Sequence, residues 1–243
     1  MINPSTATVV ALFVRVPIPG RVKTRLASHF GADAACTLYR AMVADILSNI
    51  TACSYPIYLF HDGKDGSELP EGWIAASSRV IPQEGDSIGA RMAAAFERCF
   101  ADGIDQVVLV GSDIPGLDNR LICEASKSLE SHDVAIAPAA DGGYCLIAAK
   151  RGNYKPDVFR DVPWSSDQVL RATLERCRNG NLAVGLLKTL QDIDTIEDLK
   201  AYCRESNDEA ATTNGCLIAA GFFQRWHPAL GPAGQPAAAQ FKR

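Results

Sequence analysis

Four cations crowd one short loop of this chain. Arg15, Arg21, Lys23 and Arg25 follow the apolar run Val9-Val10-Ala11-Leu12-Phe13-Val14 and are interleaved with Val16, Pro17, Ile18, Pro19, Gly20, Val22 and Thr24. Two prolines and a glycine stop the loop from continuing as strand or helix. A loop at the carboxyl end of a buried strand is where open α/β sheets bind ligands. The net charge of the chain is -4, so this positive cluster is local and suits an anion such as the phosphates of a nucleotide. The alternative is a solvated basic loop on a stable domain. No G-x-G-x-x-G follows the strand, and Val22 occupies the place of the glycine that a Walker loop needs before its lysine. Any phosphate here would be held by side-chain charge rather than by a nest of backbone amides.

Carboxylates recur at later strand ends. Gly111-Ser112-Asp113-Ile114-Pro115 follows the apolar run Gln106-Val107-Val108-Leu109-Val110, which suits a central strand buried on both faces. An Asp leaving such a strand suits a hard divalent cation, which prefers carboxylate oxygens together with a ligand's phosphates. A plain Asx turn before the next helix explains the same residues. Asp141-Gly142-Gly143 lies between two apolar strands. Asp-Gly is a strong hairpin signal; it equally suits close backbone approach to a ligand, with Asp141 facing a sugar hydroxyl or acting as a base. In Asp192-Ile193-Asp194-Thr195-Ile196-Glu197-Asp198, Thr195 and Asp198 make a helix capping box. Asp192 and Asp194 are not needed for that cap and can supply further metal ligands.

These loops are carried by an alternation of strands and helices. Helical spacing covers 32–51, 87–101, 118–130, 165–178 and 195–204; strand patterns cover 55–61, 80–82, 106–110, 134–138, 144–149 and most of 182–190. Such alternation predicts a largely parallel α/β sheet covered by helices on both faces. The 243 residues suffice for one large domain. We expect it to span 1–206, with a Pro/Gly/Ala-rich, partly mobile extension over 207–243.

With 47% apolar and 21% charged residues, the chain has an ordinary globular composition. Its mild acidity argues against general nucleic-acid binding. No apolar stretch reaches membrane-spanning length and no signal-peptide pattern opens the chain, so the expected location is cytoplasmic. Eight cysteines form no Cys-x-x-Cys pair, and four histidines are dispersed, so neither set suggests zinc or a His-based triad. The cysteines read as small buried hydrophobes.

Taken in order, the loop from Val16 to Leu26, Gly111-Ser112-Asp113-Ile114-Pro115-Gly116-Leu117, Asp141-Gly142-Gly143-Tyr144, Val162-Pro163-Trp164-Ser165 and Asp192-Ile193-Asp194-Thr195 resemble the bacterial glycosyltransferase-like family of radical-SAM/selenodomain-associated and arsenosugar-biosynthesis transferases. The resemblance runs from about 9 to 199. It implies the GT-A fold of nucleotide-diphospho-sugar transferases, a Rossmann-like three-layer arrangement with a mostly parallel sheet. The opening loop also resembles that of 2-phospholactate guanylyltransferases. By this resemblance Lys23 and Arg25, with Arg15, would neutralise nucleotide phosphates, and Pro19 and Gly20 would shape the loop around them. Asp113 would hold Mg2+ or Mn2+, completed by Asp194 and less directly by Asp192. Asp141, Gly142 and Gly143 would line the sugar or acceptor side. Trp164 would wall that pocket, unless it is a hydrophobic staple before a helix capped by Ser165. Gln83, Ser87 and Arg91 also match the family, with Arg91 on the nucleotide; an N-capped surface helix explains them as well. Arg15 departs from the lysine expected there, which keeps the charge and changes the contact geometry.

Two reactions use this equipment. Glycosyl transfer from a nucleotide-diphosphate sugar to a small acceptor is the first expectation, and nucleotidyl transfer from a triphosphate to a phosphorylated small molecule is the alternative. A silent nucleotide-binding scaffold is a third class, disfavoured by retention of Asp113, Asp141 and Asp194 with the loop cations.

Overall fold

The computed structural model describes residues 7–64, 66–205 and Thr213. The expected extension over 207–243 lies outside them apart from Thr213. The chain divides into two compact units, Met1–Val16 with Ile46–Asp192, and Pro17–Asp45 with Ile193–Arg243.

The first unit holds a seven-stranded sheet in the order β3-β2-β1-β4-β6-β5-β7. Its strands are β1 (Thr8–Val14), β2 (Ile57–His61), β3 (Arg79–Pro82), β4 (Gln106–Val110), β5 (Val134–Pro138), β6 (Tyr144–Lys150) and β7 (Val184–Leu186). β1 pairs in parallel with β2 and β4, β2 with β3, and β5 with β7. Only β6 runs against its neighbours. The mostly parallel α/β sheet expected from the sequence is therefore present, and β1 is buried at every position, as a central parallel strand must be.

Alternate residues of each strand face opposite layers. Val9, Ala11 and Phe13 share a core with Phe60, Leu109 and Ile147, covered by Met92, Phe96 and Cys99 of α4 (Ile88–Ala101) and by Cys177 of α6 (Val169–Asn179). On β4 and β5 also packs α5 (Asn119–Ser128), whose Leu121, Ile122 and Ala125 are buried. Caps set where these helices begin. The Ser87 hydroxyl accepts from the amide of Ala90 at 3.1 Å, and the Asp118 carboxylate accepts from the amide of Leu121 at 3.0 Å. Each such cap is worth about 1 kcal/mol. A short helix, α3 (Glu71–Ala76), buries Trp73.

α6 starts at Val169 rather than near 165. Ser165 has φ 65 and is no N-cap; residues 165–168 form a turn, and the amide of Leu170 donates to the Gly142 carbonyl at 2.9 Å. β7 is only three residues long, although the apolar run suggested a longer strand.

In the second unit, α1 (Thr24–Phe30) and α7 (Ile196–Glu205) meet around Leu26, Leu38, Met42, Ile193 and Leu199. Leu38 and Met42 belong to α2 (Ala32–Thr51), whose last residues fall in the first unit. The predicted capping box forms: the Asp198 carboxylate accepts from the Thr195 amide at 2.7 Å, and the Asp198 amide donates to the Thr195 hydroxyl at 3.2 Å.

Candidate active site

The strand order reverses between β1 and β4: β2 and β3 follow on one side of β1, while β4 lies on the other. At such a switch point the two strand-end loops diverge and leave a crevice at the carboxyl edge, the usual ligand site of open α/β sheets. Arg15 directly follows β1, and Asp113 lies three residues beyond β4, so both leave the strands that flank this switch point.

The loop after β4 is held on either side of Asp113. The Gly111 amide donates to the Cys145 carbonyl at 3.0 Å, and the Asn49 side-chain amide donates to the carbonyls of Pro115 and Leu117 at 3.3 and 3.2 Å. Ser112 is buried, and Asp113 is exposed between these anchors. Arg15 is steadied by Asp62 at the end of β2: its Nε lies 3.2 Å from one carboxylate oxygen, and the other oxygen accepts from the Val16 amide at 2.7 Å. Asp62, the residue directly after the strand pattern over 55–61, is not among the residues singled out from the sequence. An Asp directly after an apolar parallel strand, placed as Asp113 is, was the available signal.

Gln83, just past β3, joins three strands at this edge. Its side-chain amide donates to the carbonyls of Val14 and Phe60 at 3.3 and 3.0 Å, and its oxygen accepts from Arg91 at 3.4 Å. Two carbonyl acceptors fix which way the Gln83 amide faces. Arg91 also donates to the Gly85 carbonyl at 3.1 Å, so its guanidinium is oriented rather than free to sweep. The resemblance singled out both residues, but their coupling was not legible.

The β5–β6 hairpin brings Asp141, Gly142, Gly143 and Trp164 together. Asp141 accepts from the Gly143 amide at 2.8 Å, an Asx-type turn. Gly142 has φ +89, and a Cβ there would come within 2.4 Å of the Asp167 carbonyl oxygen. The close approach that this glycine allows is thus made by the protein's own backbone. Trp164 packs edge-on against Tyr144 with ring centroids 6.4 Å apart, and its indole lies where a side chain at Gly89 would be. Burial raises the phenol of Tyr144 well above its ordinary value and pushes the Cys145 thiol up to about 12, so both stay uncharged beneath the hairpin.

In the second unit, residues 18–21 form a turn closed by the Arg21 amide on the Ile18 carbonyl at 3.0 Å. Pro19 and Gly20 occupy its corners, and Gly20 supplies the positive φ of 79 that a type II turn requires. Lys23 is buried, sits at φ 47, and its ammonium donates to the Ile193 carbonyl at 2.5 Å. Arg25 is exposed and lies 2.8 Å from the Asp194 carboxylate. Lys23 therefore anchors the chain around Ile193, while Arg25 and Asp194 neutralise one another. Asp192 belongs to the first unit and is half-buried.

Among the described residues no group of three or more His, Cys, Asp or Glu is placed to hold a metal ion. Of the expected metal ligands, Asp113 and Asp192 belong to the first unit and Asp194 to the second. A magnesium-type ion does not need such a group, since it is commonly held by one or two carboxylates, water and substrate phosphates. Asp113 fits that donor set.

The family DUF2064, described as uncharacterized and conserved in bacteria, matches residues 46–166. A solved structure from Desulfovibrio desulfuricans G20, provisionally named a nucleotide-diphospho-sugar transferase, is 34% identical with a TM-score of 0.83, covering 91% of this chain and 99% of that one. A curated 2-phospho-L-lactate guanylyltransferase from Methanocaldococcus sp. (strain FS406-22) is 25% identical over 181 residues, 73% of this chain and 74% of that protein. A cytidylyltransferase from Leptospira borgpetersenii shares the fold alone, at 11% identity and a TM-score of 0.51, over 90% of this chain and 96% of that one. With these relatives and this sheet, the chain belongs to the DUF2064 family and has the nucleotidyl- and nucleotide-sugar-transferase fold.

Proposed function

We propose that, within the broad class of nucleotidyl and nucleotide-sugar transferases, this protein is a divalent-metal-dependent nucleotidyltransferase. It would join a nucleoside monophosphate unit to a phosphorylated small molecule. The observation that carries this reading is the β1/β4 switch point, flanked by an oriented cation, Arg15, and an exposed carboxylate, Asp113. Asp113 would hold Mg2+ or Mn2+ together with phosphate oxygens, and the ion would supply charge neutralisation on the triphosphate. Arg15 would place positive charge beside the same phosphates, and Arg91, held by Gln83, would orient the nucleotide. A phosphate oxygen of the acceptor attacks the α-phosphorus, the bond to the β-phosphate bridge oxygen breaks, and pyrophosphate leaves. The oriented donors act where charge develops on the leaving group.

Two features favour nucleotidyl over glycosyl transfer. The Asp141-Gly142-Gly143 surface, which suggested a sugar site, is taken up by its own turn and by Asp167. The curated relative is named for guanylyl transfer to a phosphorylated small acid, which supports a guanine nucleotide and an acceptor of that class. The second reading, glycosyl transfer, draws support from the name of the 34% identical relative.

The two separate in one experiment with Mg2+ or Mn2+. Nucleoside triphosphates with phosphorylated small acids are expected to release pyrophosphate and yield the acid joined through a diphosphate to a single nucleoside. Release of a nucleoside diphosphate from a nucleotide-sugar, with no pyrophosphate from any triphosphate, would overturn the proposal in favour of glycosyl transfer.

A further inference from the structure

Asp62 directly follows β2, and both of its carboxylate oxygens bear on the loop after β1. One accepts from the backbone amide of Val16 at 2.7 Å, and the other lies 3.2 Å from Nε of Arg15. On the other side of Arg15, the Val14 carbonyl accepts from the Gln83 side-chain amide at 3.3 Å. Arg15 is therefore the middle of a tripeptide gripped through the carbonyl before it and the amide after it. The approach is close. A Cβ on Gly63 would come within 2.6 Å of a Val16 methyl carbon, so a side chain there would push the chain after Asp62 away from the loop.

The two bonds from Asp62 serve different ends. The bond to Val16 fixes backbone. The contact with Arg15 involves a side chain that is 63% exposed, and an ion pair so screened adds little stability. Its effect is geometric. Nε is the nitrogen nearest the stem, so a carboxylate against it sets the plane in which the flat guanidinium stands.

We propose that Asp62 is a positioning residue of the phosphate site, presetting the Arg15 guanidinium to grip phosphate oxygens by directed hydrogen bonds rather than as a diffuse charge. The inference rests on the reading above in which Arg15 meets the nucleotide's phosphates. Charge-assisted bonds depend on the angle of the donor, and a side chain already in place loses less rotamer freedom when the ligand arrives. A carboxylate beside a phosphate site also repels the ligand by its charge. These two effects have opposite signs. If Asp62 only neutralised Arg15, removing its charge would strengthen phosphate binding; because it positions Arg15, removing its charge weakens binding.

Asp62→Asn reads that sign, since an amide oxygen can still accept from Val16 while the ion pair with Arg15 is lost. Affinities of the full chain for guanosine triphosphate, inorganic triphosphate and guanosine are measured by titration calorimetry with Mg2+. Both triphosphates should bind the variant about tenfold more weakly, within the coupling range of groups in contact, and guanosine should bind as it does to the parent. In an Arg15→Ala background the same substitution should change triphosphate affinity by less than about twofold. A merely structural carboxylate would lack that dependence on Arg15. Should Asp62→Asn fold poorly, Arg15→Lys keeps the charge, removes the nitrogen that Asp62 holds, and should also weaken triphosphate binding. Tighter or unchanged triphosphate binding by Asp62→Asn would overturn the proposal. So would equal losses for guanosine and the triphosphates, additive losses in the double variant, or parental affinity in Arg15→Lys. A parent that binds a nucleotide-sugar but no triphosphate would overturn the nucleotidyltransferase reading instead, and the same pair of variants titrated with that nucleotide-sugar would still decide the role of Asp62. A parent that binds none of these ligands would overturn both.

Discussion

Two acidic loops leave the same edge of the sheet and make different use of their residues. In the hairpin at 139–143 the fold accounts for each unusual residue: Asp141 closes its own turn, Gly142 makes room for Asp167, and the Gly142 carbonyl accepts from Leu170. In the loop at 111–117 the structural bonds run through Gly111, Pro115 and Leu117, and the exposed Asp113 stands between them. Both segments pair an acid with glycine or proline, so their sequences look equally functional. The difference lies in placement: Asp141 folds back onto the Gly143 amide of its own hairpin, whereas Asp113 is exposed on a loop anchored at Gly111, Pro115 and Leu117. An exposed carboxylate on a loop anchored at both ends is the better placed of the two to meet a ligand.

The largest effect should come from the loop after β4. Asp113→Asn keeps the side chain's shape and removes the charge that would bind a metal. Metal-dependent nucleotide affinity, measured by titration calorimetry with Mg2+, should fall on the order of 100-fold or more, above the range for supporting residues around a metal. The melting temperature without ligand should hardly move, because the side chain is exposed. Unchanged affinity would remove Asp113 from the site.

The hairpin should answer in stability. Gly142→Ala adds a Cβ within 2.4 Å of a backbone oxygen at a φ of +89, so either the hairpin or the 165–168 turn must shift. A cost of about 2–3 kcal/mol is expected, or a melting temperature lower by roughly 5–10 °C. A variant as stable as the parent would mean the two loops can part, and the hairpin could then open to a ligand.

Asp141→Ala sharpens the comparison at a smaller scale. Loss of a charged hydrogen bond to one exposed backbone amide costs about 1 kcal/mol. Turnover should survive once measured well below the melting temperature. Abolished turnover at near-parental stability would return Asp141 to the chemistry and revive the sugar-binding reading.

Much of this fold was legible because its punctuation is local. Ser87 and Asp118 cap the helices they precede, and the buried run of β4 reads directly as a central strand. Errors arise where a distant partner decides. Ser165 looks like a cap, but Leu170 is drawn to Gly142, so α6 begins later. α1 was missed because it is seven residues long and starts from Lys23 in a left-handed conformation without a side-chain cap. The candidate site was legible by residue type and not by state. Arg15 and Asp113 were found at strand ends, but the support from Asp62, Asn49 and Gln83 depends on partners 23–69 positions away. Lys23 was read by resemblance as a cation facing nucleotide phosphates; its ammonium donates to a carbonyl 170 residues on, a partner that no local pattern announces.

The smallest expected effect separates the two cations of the second unit. Arg25 and Asp194 pair at 2.8 Å with side chains 71% and 43% exposed. Water and salt screen such a pair, which contributes about 0.2–1 kcal/mol. Arg25→Ala should therefore lower the melting temperature by no more than roughly 1–3 °C, and the loss should shrink as salt is added. Lys23→Ala deletes a buried ammonium and leaves the Ile193 carbonyl without that donor, so its cost should be the larger of the two and nearly independent of salt. A salt-sensitive Lys23→Ala would mean that the ammonium faces solvent and is available to an anion. Should Arg25→Ala prove the more damaging, the exposed ion pair rather than the buried lysine would be what holds the acidic segment at 192–198 in place.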